Sequence, residues 1–291
     1  MKDPGCLKIP GSELKIGEHR LCQPMNTSAL YADREAPVLT RSGVAENNLK
    51  ILEEILKKVN GDFPVRDIQI GIHWTAVISK YYGLASTLCE PPPHHNNQVR
   101  DVGCLHQKTA SDLARLVLSD RLLEASIGMA TINSLIEIDE QRCEPINAFD
   151  IIAEKGKNKN IGIIGHFPFI PKLKKDAHQL WVFEKRLQEG DLPEADIENL
   201  LPECDVIGIS ATTLINHTFE KILAFCRTDA FKVMLGASTP MLPILFNYGL
   251  DILSGCKVID GESTWFSIRQ GATFKQIKGI RLLSMRSKGR K

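Results

Sequence analysis

From about residue 150 onward the chain alternates short apolar runs with helical stretches, and no other feature restricts the fold so tightly. IGIIGHF (161–167), QLWVFE (179–184), DVIGISA (205–211), FKVMLGA (231–237) and DILSGCKVI (251–259) are rich in Ile, Val and Leu. EADIENLLPE (194–203), LINHTFEKILAFC (214–226) and PMLPILFNYG (240–249) separate the later ones. Strands that are apolar throughout are buried on both faces, and parallel neighbours need crossover connections. The pattern therefore predicts an α/β unit with a Rossmann-like parallel sheet over 151–280. The basic segment beyond it, 281–291, reads as a solvated tail.

The preceding residues follow a different grammar. Ala45, Leu49, Leu52, Leu56 and Val59 recur at three- and four-residue spacing, which predicts a helix closed by Asn60-Gly61. DIQIGIHWTAVIS (67–79) and YGLASTLCE (82–90) predict two strands joined by a turn near Lys80–Gly83. Pro91-Pro92-Pro93 ends that ladder, because proline donates no hydrogen bond to it. Thr109-x-x-Asp112 has the form of a capping box. A further helix over 120–137 places Leu122, Ala125, Met129, Ile132 and Ile136 inward, and its small residues Ala125, Ser126, Gly128 and Ala130 allow close approach of a neighbour. Together these elements make a small α+β unit over 43–150. Residues 1–42 carry scattered Pro and Gly without an apolar period, and read as a poorly packed extension or leader.

Charge and composition narrow the partners. Lys plus Arg number 36 against 35 Asp plus Glu, with no block of five or six like charges, which argues against nucleic acid. No apolar run approaches the ~20 residues that span a bilayer, and no secretory h-region opens the chain. A cytoplasmic protein without a membrane partner is expected, with homodimerisation left open. The eight cysteines contain no CxxC pair, so reduced thiols are expected in that compartment.

In an open parallel sheet ligands sit beyond the carboxyl ends of the strands. Here those ends carry Gly165-His166-Phe167-Pro168, Glu184, Ser210-Ala211-Thr212-Thr213 with Asn216-His217-Thr218, and Gly236-Ala237-Ser238-Thr239-Pro240. Helices starting after Thr213 and at Pro240 would turn bare N–H groups toward the same crevice, which favours an anion. The competing reading makes the Ser and Thr residues N-caps alone. Histidine is the side chain type suited to acid/base work near neutral pH, so His166 is the candidate acid/base, against a plain loop hydrogen bond.

A dinucleotide fold wants G-x-G-x-x-G, but Gly162-x-x-Gly165 is followed by Phe167 and Pro168 where backbone must approach a pyrophosphate. NAD(P) is therefore disfavoured. A methyltransferase-like enzyme with a nucleotide donor tolerates looser glycines and stands as an alternative. Cys89, His94, His95, Cys104 and His106 crowd one loop. Of these, Cys89, His95, Cys104 and His106 make a candidate site for a divalent or heavy metal, as in a non-enzymatic thiol/imidazole binder. Their spacing matches no standard zinc module, so a polar loop with incidental ligands competes. G-x-S-x-G, H-E-x-x-H and a phosphate loop are all missing from the sequence, which leaves enzymatic activity open.

GIIGHFPFIPKLK, VFEKR, GDLPEADIENLLPECDVIGISATTLINHT and VMLGASTPMLPILFNYGLDILSGCKVID, in that order, resemble the putative heavy-metal chelation family over about 150–270. GIHWTAV, GLASTL and ASIGMATINSL resemble the domain that accompanies it, over about 43–140. The resemblance implies an enolase-N-terminal-like first domain, a Rossmann-like second domain, and a cleft between them for a small anionic or metal-chelating ligand. It carries over Gly165, Phe167, Pro168, Glu184, Thr212, Asn216, Thr218, Gly236, Ser238, Thr239 and Pro240, with Asn133 from the first domain. The family commonly has Pro where Ala237 stands and Gly where His217 stands.

Overall fold

In the computed structural model of the chain, which describes residues 49–59, 61–90 and 98–288, the Ile- and Val-rich runs of the second half pair side by side. The extension 1–42, the Asn60 cap, the triproline, His94 and His95 lie outside the described residues. Upstream of the large sheet, helix α1 (Lys50–Lys58) buries Ile51, Leu52 and Ile55 on one stripe, as its spacing requires. Strands β1 (Asp67–Ile70), β2 (Trp74–Ile78) and β3 (Tyr82–Ser86) form an antiparallel sheet in that order. The run 67–79 is thus two strands rather than one. Gly71-Ile72-His73 reverses the chain, the Gly71 N–H donates to the Trp74 carbonyl at 2.8 Å, and Ile72 stands 74% exposed at the tip.

Helix α2 (Ala110–Ala114) starts as expected, with the Thr109 hydroxyl accepting from the Asp112 N–H at 3.1 Å. Helix α3 (Leu122–Leu135) is buried on nearly every side. Gly128 makes that possible: a Cβ there would overlap the backbone nitrogen of Val117, so the small residue permits direct backbone contact.

The second sheet, among the described residues, has seven strands. In chain order the elements are β4 (Cys143–Glu144), α4 (Ala148–Gly156), β5 (Asn160–Ile164), α5 (Ile170–Leu173), β6 (Gln179–Phe183), α6 (Ile197–Leu200), β7 (Val206–Ser210), α7 (Thr212–Ile215), α8 (Phe219–Phe225), β8 (Phe231–Leu235), β9 (Ile252–Val258), α9 (Gly261–Arg269) and β10 (Ile280–Arg286). Their order across the sheet is β4-β10-β9-β8-β7-β5-β6, with β5 through β9 parallel. Every residue of β7 is buried, because α4 packs on one face with Ile161, Ile163 and Val233, while Leu214, Phe219 and Ile222 pack on the other with Ile207 and Met234. Each such side chain withdrawn from water contributes about 1.5–3 kcal/mol.

Three expectations are corrected. Residues 281–286 of the basic segment are no tail: β10 runs antiparallel to β9 and β4 and buries Leu283, Ser284 and Met285. Its basic residues are paired, Arg281 with Glu140 at 2.7 Å and Arg286 with Glu144 at 3.1 Å. No helix starts at Pro240. Pro243 forces the preceding Leu242 into extended backbone (φ −112°, ψ 122°), and a 3-10 helix begins only at Pro243, running to Tyr248. The stretch 214–226 breaks into α7 and α8, because His217 takes a left-handed φ of +59°. Among the described residues no helix is long and apolar enough to cross a membrane.

Candidate functional site

The direction of winding reverses at β5, which has β6 on one side and β7 on the other. At such a switch point the loops leaving neighbouring strands diverge and open a crevice beyond the carboxyl ends. A cavity of about 1160 Å³ lies there. Gly165, His166, Phe167 and Pro168 line it from β5, Glu184 from β6, Thr212 and Asn216 from β7, and Gly236 and Ser238 from β8. Cys89 and the end of β3 close another side. Thr218, Thr239, Asn133, Cys104 and His106 fall outside the lining.

What these side chains offer depends on their existing partners. Gly165 holds φ at +101°, and a Cβ would stand 3.1 Å from that of Ser210, so only glycine turns the chain here. The Glu184 carboxylate accepts backbone N–H groups from His166 (3.0 Å), Lys185 (2.7 Å) and Arg186 (3.3 Å), and thereby shapes the loop. The Ser210 and Thr212 hydroxyls pair at 2.8 Å. Asn216 Oδ1 accepts from the Thr218 hydroxyl at 2.7 Å, so Thr218 orients Asn216, whose Nδ2 makes no hydrogen bond among the described residues.

Ser238 Oγ accepts from the Ser86 N–H at 2.8 Å and donates to the Ser86 hydroxyl at 3.2 Å. Asn133 Nδ2 donates to the carbonyls of Leu84 (2.8 Å) and Ser238 (3.2 Å). Both residues stitch the β8 loop to β3. Thr239 is buried with a hydroxyl that has no partner among the described residues. His217 fills its left-handed position and, through Nε2, donates to the Val117 carbonyl at 2.8 Å.

The sequence reading left out Asp191. The turn Gln188–Asp191, with Gly190 at φ +87°, feeds Leu192 onto the edge of β6 by hydrogen bonds to Val182 and Glu184. That placement sets both Asp191 oxygens 3.0 Å from His166 Nδ1, and the Asp191 side chain is only 2% exposed. A Gly-Asp pair following a strand end signals the turn but not its long-range partner. Lys172, Arg186 and Lys275 also line the cavity and make no ion pair among the described residues. Phe167 stacks on Phe169 at 5.1 Å between centroids, giving that side an aromatic wall.

A metal held by the chain needs three or four converging donors. Among the described residues no three His, Cys, Asp or Glu side chains come together in that way. Cys89 stands exposed by the cavity, its thiol raised by partial burial against the opposing pull of Arg186, and Cys104 is disulfide-bonded, against the expectation of reduced thiols, and so offers no thiolate. His95 lies outside the described residues, so the candidate set of Cys89, His95, Cys104 and His106 is not tested by them.

Two family models match the chain, over residues 52–136 and 147–285, and both carry the description "Putative heavy-metal chelation". An uncharacterized protein of Methanocaldococcus jannaschii is 27% identical over 248 residues, spanning 79% of this chain and 95% of its own length. A crystal structure from Desulfitobacterium hafniense DCB-2, of unknown function in the DUF364 family, matches at 25% identity with a TM-score of 0.70, over 82% of this chain and 98% of that one. Another from the same family, of Pyrococcus horikoshii, shares the fold at 21% identity, with a TM-score of 0.71 over 82% and 100% of the two chains.

Proposed function

Because the chain belongs to the family described as "Putative heavy-metal chelation", we propose that it binds a small anionic, metal-chelating ligand in the cleft between its enolase-N-terminal-like and Rossmann-like parts. One observation carries the reading. Lys172, Arg186 and Lys275 converge on a cavity at the sheet's switch point without ion-pair partners among the described residues. Glu90 and Asp120 share the lining, while Glu184 is committed to three backbone N–H groups and Glu194 to Lys185. Cations without an ion pair in a concave site favour an anion, and the polar strand ends orient it. Any metal then arrives as cargo on the ligand, consistent with the lack of a three-donor cluster among the described residues.

Native mass spectrometry of freshly purified protein, with elemental analysis alongside, tests this. The expected result is a co-purified small anion whose occupancy falls when Arg186→Ala and Lys172→Ala are combined. Each charged hydrogen bond lost costs about 1.5–3 kcal/mol, or roughly ten- to a hundred-fold in affinity. A protein that carries no small molecule and gains none from a panel of oxyanions and chelates would sink the proposal.

A further inference from the structure

His166 is more tightly organised than a binding contact needs. Its backbone N–H is held by the Glu184 carboxylate at 3.0 Å, and its Nδ1 faces both oxygens of the buried Asp191 at 3.0 Å. One of those oxygens is fixed in turn by the Gln188 N–H at 3.0 Å. The ring is 26% exposed, the residue lines the cavity, and Nε2 makes no hydrogen bond among the described residues. A carboxylate beside Nδ1 keeps the proton on that nitrogen, which leaves a lone pair on the other.

We propose that His166 is a general base, that Asp191 is the positioning residue that fixes its Nδ1–H tautomer, and that the ligand is an anion bearing an ionisable O–H or N–H. This rests on the anion-binding reading of the same cavity. In the step, the ligand's X–H bond breaks toward Nε2 and the bonding pair stays on X. The new imidazolium is balanced by Asp191, and the charge developed on X by Lys172 and Arg186. The proton returns by the reverse path, so no oxidant or other reactant is required.

The test uses the full chain. Two-bond 1H–15N spectra of the histidine ring should show His166 as the Nδ1–H tautomer in the native protein. Acylation by diethylpyrocarbonate, which attacks an unprotonated imidazole nitrogen, should be followed at His166 by peptide mass spectrometry. Asp191→Asn should slow it about ten-fold and Asp191→Glu should restore it. Inorganic phosphate, an anion with an O–H at neutral pH, should protect His166, whereas sulfate, which has none, should not. An Nε2–H tautomer in the native protein, or an unchanged rate in Asp191→Asn, would overturn the base assignment without any variant having to bind ligand. Equal protection by both anions would also overturn it while leaving the anion reading intact. Protection by neither would overturn the ligand class.

Discussion

The hydroxyl of Ser238 is used twice, accepting from the Ser86 N–H and donating to the Ser86 hydroxyl, and the residue is 1% exposed. Truncation leaves the half-buried Ser86 N–H without its acceptor, a loss of about 1–3 kcal/mol. Ser238→Ala should therefore lower the urea midpoint by an amount in that range. An unchanged midpoint would show that the Ser86 contacts contribute nothing to stability. Thr239 is the opposite case. Its hydroxyl is buried with no partner among the described residues, so the near-isosteric Thr239→Val should raise stability by about 1 kcal/mol in the same assay. Residue type alone could not separate these neighbours. Both read as loop hydroxyls, and only the opposing strand decides which is satisfied.

Among the elements, α3 carries the most demanding group. Glu124 has a side chain with no exposure, yet its carboxylate accepts from Arg100 through the backbone N–H (2.8 Å), Nε (3.0 Å) and Nη2 (2.7 Å), and from the Ser119 hydroxyl (2.6 Å). Burial pushes its pKa up, but the Arg100 and Ser119 hydrogen bonds outweigh that and hold it below the ordinary carboxylate value. A depressed folded-state pKa gives stabilisation that is present above the unfolded value, about 4.3, and lost as pH falls through the folded one. Glu124→Gln should cost about 2 kcal/mol at pH 7, and its gap from the native protein should narrow in denaturant titrations at pH 3. A gap of equal size at both pH values would refute the electrostatic account. Apolar periodicity made α1, α3 and the five parallel strands legible, because burial dictates that pattern. The interruptions at Gly71, His217 and Leu242 were not legible, because each is a local backbone event inside an otherwise continuous run.

At the scale of the molecule, the parallel order and its switch point explain why residues from four strand ends meet in one cavity, where Gly165, His166, Phe167, Pro168, Glu184, Thr212, Asn216, Gly236 and Ser238 lie at the positions the strand-end rule points to. The His166–Asp191 contact and the three cations without ion pairs among the described residues were hidden, since they depend on loop paths rather than on pattern. The same architecture orders the thiols. Cys89 is exposed at the cavity, whereas Cys204, Cys226 and Cys256 lie against the large sheet and its covering helices. Burial pushes the thiols of these three up to about 12. Iodoacetamide reacts with the thiolate, so a buried and protonated thiol waits for the chain to open. In peptide-resolved labelling at pH 8, Cys89 should modify ahead of Cys204, Cys226 and Cys256 in the native protein. Cys204, Cys226 and Cys256 should modify together, at a rate that rises with denaturant in parallel with global unfolding. Native-state modification of Cys204 ahead of Cys89 would mean that the β7 side of the sheet opens locally, and that the two halves of this unit do not unfold as one.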